Sequence, residues 1–263
     1  MGTTCGLFAV DAAPGKLVEG EAWVRRTAAL LTRFAADSDL SRLNASAGRW
    51  IGVGEELESV LREALRAHDL SKGLVNVAVL RSMLAIGYVR PLAEGPAAAA
   101  LDWTGPLSPL PEVLEMRPGQ ARVRAGCGID LGGIAKGWMA DRLCEMLGDN
   151  VVANLGGDLR CIGPGPAGGG WAVGVGDVTL MLRGQGAATS SVRKRRWGGV
   201  HHLIDPRTGL PATNGLAEVS VIAANAVDAE VIAKTALLLG GQLAPAYCAM
   251  HAQAWSLSDS HDS

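Results

Sequence analysis

Apolar residues recur at helical spacing in several long stretches of the chain and alternate or run together in several short ones. Val24, Ala28, Leu31 and Ala35 mark one face of a helix over 18–36, which Asp37 and Ser38 end. Leu57, Val60, Leu61, Ala64, Leu65 and His68 form a single stripe on an otherwise charged helix over 55–69. His68 lies on that stripe, so it reads as packing at the edge of a core and not as a ligand. Another helix, over 227–239, stops at Gly240-Gly241. Strands are expected over 3–10 and in the apolar runs V-V-A-N-L from Val151, W-A-V-G-V from Trp171, H-H-L-I from His201 and E-V-S-V-I-A-A from Glu218.

Between 91 and 120 the chain turns rich in Pro, Gly and Ala, which predicts a long connection with at most short structure. It is not taken as a domain boundary, because the later strands need helices and partner strands that the first third supplies. The reading is one domain over 1–250 followed by a polar tail over 251–263, of which S-L-S-D-S-H-D-S from Ser256 is expected to fray.

Composition narrows the classes. With 24 Lys+Arg against 26 Asp+Glu there is no electrostatic footprint for nucleic acid or an anionic membrane. Cys5, Cys127, Cys144, Cys161 and Cys248 never form a C-x-x-C pair, so reduced thiols are expected rather than a zinc site or a disulfide framework. The first residues lack a basic region followed by an apolar one, and nothing reaches the roughly 18 unbroken apolar residues of a membrane span. A soluble cytoplasmic protein without a transmembrane segment is expected.

Three segments carry candidate chemistry. In the first, D-L-G-G-I-A-K-G from Asp130, a carboxylate and two glycines lead into a helix marked by Ile134, Trp138, Leu143 and Leu147. Glycines let a backbone approach a ligand closely, and free N–H groups at a helix start favour phosphate, with Lys136 adding positive charge. A tight strand-to-helix turn with a solvated Lys explains the same residues. The second, N-L-G-G-D from Asn154 to Asp158, ends an apolar run and reads either as a ligand-facing bend or as a plain hairpin turn. The third, H-H-L-I-D-P-R-T-G from His201, brings a histidine and a carboxylate to a turn that its own Asp, Pro and Gly suffice to make. Neighbours on a strand point to opposite faces, so only one of His201 and His202 serves any one site. The basic run over 193–196 reads as a solvated strand end.

Taken in order, these segments resemble the ApbE family of FAD:protein FMN transferases. The likeness extends to Met1-Gly2-Thr3, similar to the family's M-G-T, and to D-S-D-L-S-R-L-N from Asp37, similar to its D-S-E-L-S-R-L-N. It implies an α/β (α+β) fold, ApbE-like or T-fold-like, with mixed sheets flanked by helices and an FAD cleft between the sheets. It also implies a phosphoryl-type transfer of FMN from FAD to a Thr or Ser of an acceptor protein, releasing AMP. By position, FAD contacts fall on Met1, Asn76, Asp130, Gly132, Gly133 and Lys136, and further on Asn154, Gly156, Gly157, Asp158, Leu203, Asp205 and Thr208. The carbonyl of Gly133 would reach a Mg²⁺ ion, and His202 would assist deprotonation of the acceptor hydroxyl, work that suits an imidazole.

Two positions depart from the family pattern. Asn76 stands where an FAD-contacting Asp is expected. The family's A-D-x-x-x-T, whose carboxylate and hydroxyl bind Mg²⁺, is matched by A-E-V-I-A-K from Ala229, which puts Glu230 and Lys234 at the metal-site positions. Glu ligates Mg²⁺ through oxygen, whereas a protonated Lys has no lone pair. The pair reads either as a surface ion pair worth about 0.3 kcal/mol or as an ammonium placed where the metal would sit, facing the pyrophosphate. Hydrolysis of FAD to FMN and AMP, and a non-catalytic flavin-nucleotide binder, are the alternatives to transfer.

Overall fold

The computed structural model of the protein describes residues 2–100, 105–176 and 178–259. Its contacts divide the chain into two compact units assembled from discontinuous segments.

The unit built from Thr3–Arg26, Ala135–Ser191 and the segment from Asn214 onward holds a six-stranded sheet. The strands lie in the order Cys5–Ala9, Val151–Leu155, Asp158–Ile162, Gly186–Ser191, Leu216–Ala223 and Ala254–Asp259, each antiparallel to its neighbour. Alternation sorts its side chains between two layers. On one side Val152, Leu159, Cys161, Ala187 and Ile222 pack against the hairpin Trp171–Val175/Val178–Leu182, burying Val173, Val175 and Leu182. The helices Ala135–Leu147 and Ala226–Leu239 pack against the same six-stranded sheet and against each other. The helix Ala226–Leu239 has almost no polar face: Val227, Val231, Ile232, Leu237 and Leu238 are all buried, as expected of a helix enclosed on most sides.

One expectation is corrected in this unit, and one strand lies outside the sequence reading. Residues 254–259, which from Ser256 on are expected to fray, form an edge strand whose Val219↔Leu257 and Val221↔Trp255 pairs continue the sheet. Cross-strand pairing stabilises a polar segment that has little local propensity of its own. Gly186–Ser191 was not anticipated as a strand, because its G-A-A-T-S-S sequence carries no bulky apolar residue. Small residues are required there: a Cβ on Gly186 would collide with the backbone of Asn225 and Ala226.

The other unit, built mainly from Thr27–Ile134 and Val192–Thr213, packs helices Asp39–Asn44, Glu55–Leu70 and Leu80–Ala85. Its three-stranded sheet has the order Ile51–Gly52, Gln120–Val123, Leu114–Arg117. Leu40, Leu43, Leu57, Leu61, Leu110, Ile129 and Leu131 are fully buried in it. The helix expected over 55–69 is present, and the His68 ring accepts the Leu110 N–H at 3.2 Å, as a residue at a core edge would. The helix expected over 18–36 ends at Leu31, and a short one begins after Ser38, whose hydroxyl accepts the Ser41 N–H at 3.0 Å as an N-cap. The connection over 91–120 contains a three-residue 3₁₀ turn at Leu92–Glu94, a four-residue helix and the strand Leu114–Arg117. H-H-L-I is not one strand: Val200–His201 and Ile204–Asp205 belong to separate two-residue pairings, with His202 and Leu203 between them.

Candidate functional site

The hairpin Val151–Leu155/Asp158–Ile162 turns on Gly156 and Gly157, at φ of +74° and +101°. Glycine takes such angles in a two-residue hairpin loop without strain. Asn154 Oδ1 accepts the Gly157 N–H at 2.9 Å and closes the turn. The segment is therefore a tight hairpin, and it places Asp158 at the first position of its strand, buried.

Four residues singled out from the sequence for separate tasks come together at Asp158. The Lys136 ammonium pairs with Asp158 Oδ2 and lies 3.3 Å from Glu230 Oε1. The Lys234 ammonium lies 3.4 Å from the same Oε1. Glu230 Oε2 accepts the Gly137 N–H at 3.0 Å. Side-chain exposure is 4% for Glu230 and 13% for Lys234, which removes the surface ion pair as a reading. Two carboxylates and two ammoniums balance, and that balance is what allows charges to be buried. Burial works against the Glu230 carboxylate, but the Lys136 and Lys234 charges and the Gly137 N–H outweigh it and hold its pKa low. Burial, reinforced by Glu230, pushes Asp158 up to about 6 despite Lys136. Burial also lowers Lys234, against the pull of Glu230.

The helix Ala135–Leu147 supplies Lys136 from its first turn, and the anion at this helix start is the chain's own Glu230. Gly137 makes this possible. A Cβ there would lie 2.9 Å from Ala226 O, 3.0 Å from Glu230 Oε2 and 3.0 Å from Val227 Cα. Asp141, one turn on, accepts the N–H groups of Ala226 and Val227 at 2.9 and 3.0 Å and so covers the start of the helix Ala226–Leu239. Asn225 caps the same end by accepting the Asp228 N–H at 2.7 Å. Burial pushes Asp141 up to about 6, against those two N–H bonds and the nearby Arg160.

In the other unit, Asp130 is held by an arginine that sequence reasoning missed. Arg33 Nε donates to Asp130 Oδ2 at 2.5 Å, and the two side chains are only 6% and 12% exposed. Asp130 Oδ1 accepts the Gly132 N–H at 2.7 Å, so the carboxylate forms the turn that the glycines permit. Gly133 follows that turn and is half-buried. The Arg33 guanidinium also lies over the rings of Phe34 and Tyr88, at 4.2 and 4.8 Å. Asn76 sits beside this turn, since the Asp130 N–H donates to the Val77 carbonyl at 2.9 Å. The Asn76 amide uses both ends: Nδ2 donates to Ser108 O at 3.0 Å and Oδ1 accepts the Ala78 N–H at 2.9 Å. A carboxylate could not make the first bond, which accounts for an amide at this position.

The two histidines separate cleanly. His201 is buried, its Nε2 is 2.9 Å from Ala212 O and its Nδ1 accepts the Leu203 N–H at 3.2 Å, so both ring nitrogens serve the backbone. Burial lowers its pKa. His202 is half-buried and Leu203 buried. Asp205 is buried and bonded to the backbone N–H and guanidinium of Arg207, at 2.6 to 3.1 Å. Thr208 is exposed, and its carbonyl accepts the Gly105 N–H. Asp205 and Thr208 therefore build the D-P-R-T-G turn. Met1 lies outside the described residues.

The ApbE family model matches residues 1–255. The chain belongs to the ApbE family. It is 29% identical over 242 residues to the FAD:protein FMN transferase of Klebsiella pneumoniae (strain 342), covering 82% of this chain and 72% of that one. It is also 29% identical over 243 residues to the FAD:protein FMN transferase of Treponema pallidum (strain Nichols), covering 78% and 66%. Among solved structures it resembles the ApbE protein of Thermotoga maritima MSB8, with a TM-score of 0.77 and 25% identity over 96% of this chain and 92% of that one. The apo flavinyl transferase ApbE of Pseudomonas stutzeri shares the fold at a TM-score of 0.79 and 21% identity, covering 99% and 93%. The mixed α/β architecture expected from the ApbE resemblance is the one found.

The Mg²⁺ ion that the family implies does not fit the ApbE cluster of this chain. Mg²⁺ requires near-octahedral oxygen donors at about 2.0–2.1 Å. Glu230 Oε1 is shared by two ammoniums and Oε2 is bonded to Gly137. Among the described residues, no group of three or more His, Cys, Asp or Glu side chains is placed to hold a metal. No described helix is long and apolar enough to cross a membrane.

Proposed function

We propose that this chain is an FAD:protein FMN transferase. Family membership across residues 1–255 supports the activity, and the convergence of Lys136, Asp158, Glu230 and Lys234 is the observation that carries it at the level of residues. An acceptor Thr or Ser oxygen forms a bond to the flavin-side phosphorus, the bond from that phosphorus to the bridging oxygen breaks, and AMP leaves with that oxygen. Transfer of this kind asks the protein to position the phosphates and to neutralise their charge.

In this reading Lys136 and Lys234 supply the positive charge, while Glu230 and Asp158 keep both ammoniums in place. His202 takes the proton of the acceptor hydroxyl. His201 cannot share that role, since its ring is bonded through both nitrogens. By family position, FAD contacts also fall on Gly156 and Gly157, on Asp130, Gly132 and Gly133, and on Asn76, Asp205 and Thr208. The partner is a protein carrying the accepting Thr or Ser.

The test is to incubate the purified protein with FAD and a candidate acceptor, then measure AMP released and flavin retained on the acceptor after denaturation. Equal amounts of AMP and retained flavin are expected. AMP with free FMN would assign hydrolysis instead, and FAD binding without AMP would leave a binder.

A further inference from the structure

We infer that in this chain the Lys234 ammonium takes the place of the divalent cation, so that the Glu230 carboxylate binds no Mg²⁺. The inference deepens the transferase reading and rests on it for the role of the charge, but its core concerns cation binding alone.

Three observations on one helix and its neighbours carry it. Lys234 is one turn beyond Glu230 on the buried helix Ala226–Leu239, and its side chain turns back onto Glu230 Oε1 at 3.4 Å instead of extending to solvent. Lys136 reaches the same oxygen from the helix Ala135–Leu147 at 3.3 Å, and Asp158 holds Lys136 from the strand below. The remaining oxygen of Glu230 is engaged by the Gly137 N–H. A cation entering at Oε1 would lie beside two ammoniums whose charges already balance the two carboxylates. Like charges at that separation in a buried site repel strongly, and among the described residues no group of three or more His, Cys, Asp or Glu side chains is placed to hold the ion.

The substitution has a consequence for charge. A Mg²⁺ ion would bring two positive charges that come and go with metal concentration. Lys234 brings one that is built into the fold and positioned by Glu230. Neutralisation of a bound pyrophosphate then depends on the protonated lysine, and chelators have no purchase on it.

The experiment follows Mn²⁺, a spectroscopic probe with the same preference for oxygen ligands, by electron paramagnetic resonance as it is titrated into wild type, Lys234→Thr and Lys234→Met. Wild type and Lys234→Met are expected to leave the free-ion signal undiminished. Lys234→Thr, which restores a hydroxyl one turn from Glu230, is expected to bind Mn²⁺ stoichiometrically, and adding Glu230→Gln to it should abolish that binding. Stoichiometric binding to wild type that is lost in Glu230→Gln would overturn the inference. So would the absence of Mn²⁺ binding in a folded Lys234→Thr, since Lys234 would then not be what excludes the ion. FAD binding, followed in parallel by flavin fluorescence with and without EDTA, tests the transferase reading separately: no FAD binding at all would reject that reading and leave the Mn²⁺ result intact.

Discussion

Gly137 donates its N–H to Glu230 Oε2 at 3.0 Å, across two helices that a single added carbon would force apart. The glycine therefore sets the distance between the helices and also anchors the carboxylate on which both lysines depend. Gly137→Ala places a Cβ against the Ala226 carbonyl and Val227 Cα, backbone atoms that cannot swing aside. Overpacking of this kind costs about 1–3 kcal/mol. Urea denaturation of the variant should show the loss as a lower midpoint at unchanged slope.

Arg33 and Asp130 form a second buried relationship, between residues 97 apart in sequence. Arg33→Met leaves the Asp130 carboxylate buried without its cation, which costs about 3–5 kcal/mol. Adding Asp130→Asn removes the stranded charge while keeping an acceptor for the Gly132 N–H, and should recover most of the loss. A double-mutant cycle measures this coupling; additive losses would show that the pair is not held together by its charges.

The pH dependence of stability has a defined sign at Asp141. Its folded pKa, about 6, lies above the ordinary carboxyl value of 3.8. The folded state therefore keeps a proton that the unfolded chain releases, and the contribution of Asp141 to stability falls as pH rises from about 4 to 6. In Asp141→Asn this titration is gone. The stability difference, wild type minus variant, should fall by up to about 3 kcal/mol across that window. His68 and His201, whose pKa values are lowered by burial, titrate in both proteins and drop out of the difference. A difference that stays constant with pH would contradict the assignment.

Much of this architecture was legible from pattern alone, and the failures have physical causes. The stripe from Leu57 to His68 and the glycine pair after Leu155 were readable because each is a local rule, periodicity in one case and turn chemistry in the other. Gly186–Ser191 and Ala254–Asp259 were not, since their strand character comes from neighbours that sequence windows do not contain. The four residues of the charge cluster are each picked out from the sequence, Lys136 and Asp158 as FAD contacts and Glu230 with Lys234 as a pair at the metal-site positions, but not as one cluster. That Lys136, Asp158, Glu230 and Lys234 satisfy one another depends on contacts up to 94 residues apart. No role is read from the sequence for Arg33, Gly137 or Asp141. For Gly137 a signal existed: a glycine inside a helix costs stability, and its presence there points to a close approach.

The histidine pair bears most directly on the central claim. His201→Ala removes a ring bonded to Ala212 and Leu203 and should lower the melting temperature. His202→Ala should leave folding and FAD binding in place while slowing transfer by roughly 10²–10⁴-fold, the usual contribution of a general base.

The decisive measurement is the intact mass of a candidate acceptor protein after co-expression with wild type or with His202→Ala. The account predicts an acceptor carrying covalent FMN with wild type and almost none with the variant. An acceptor labelled equally by both would contradict the role of His202, and one left unlabelled by wild type under conditions where FAD binds would contradict transfer to that protein.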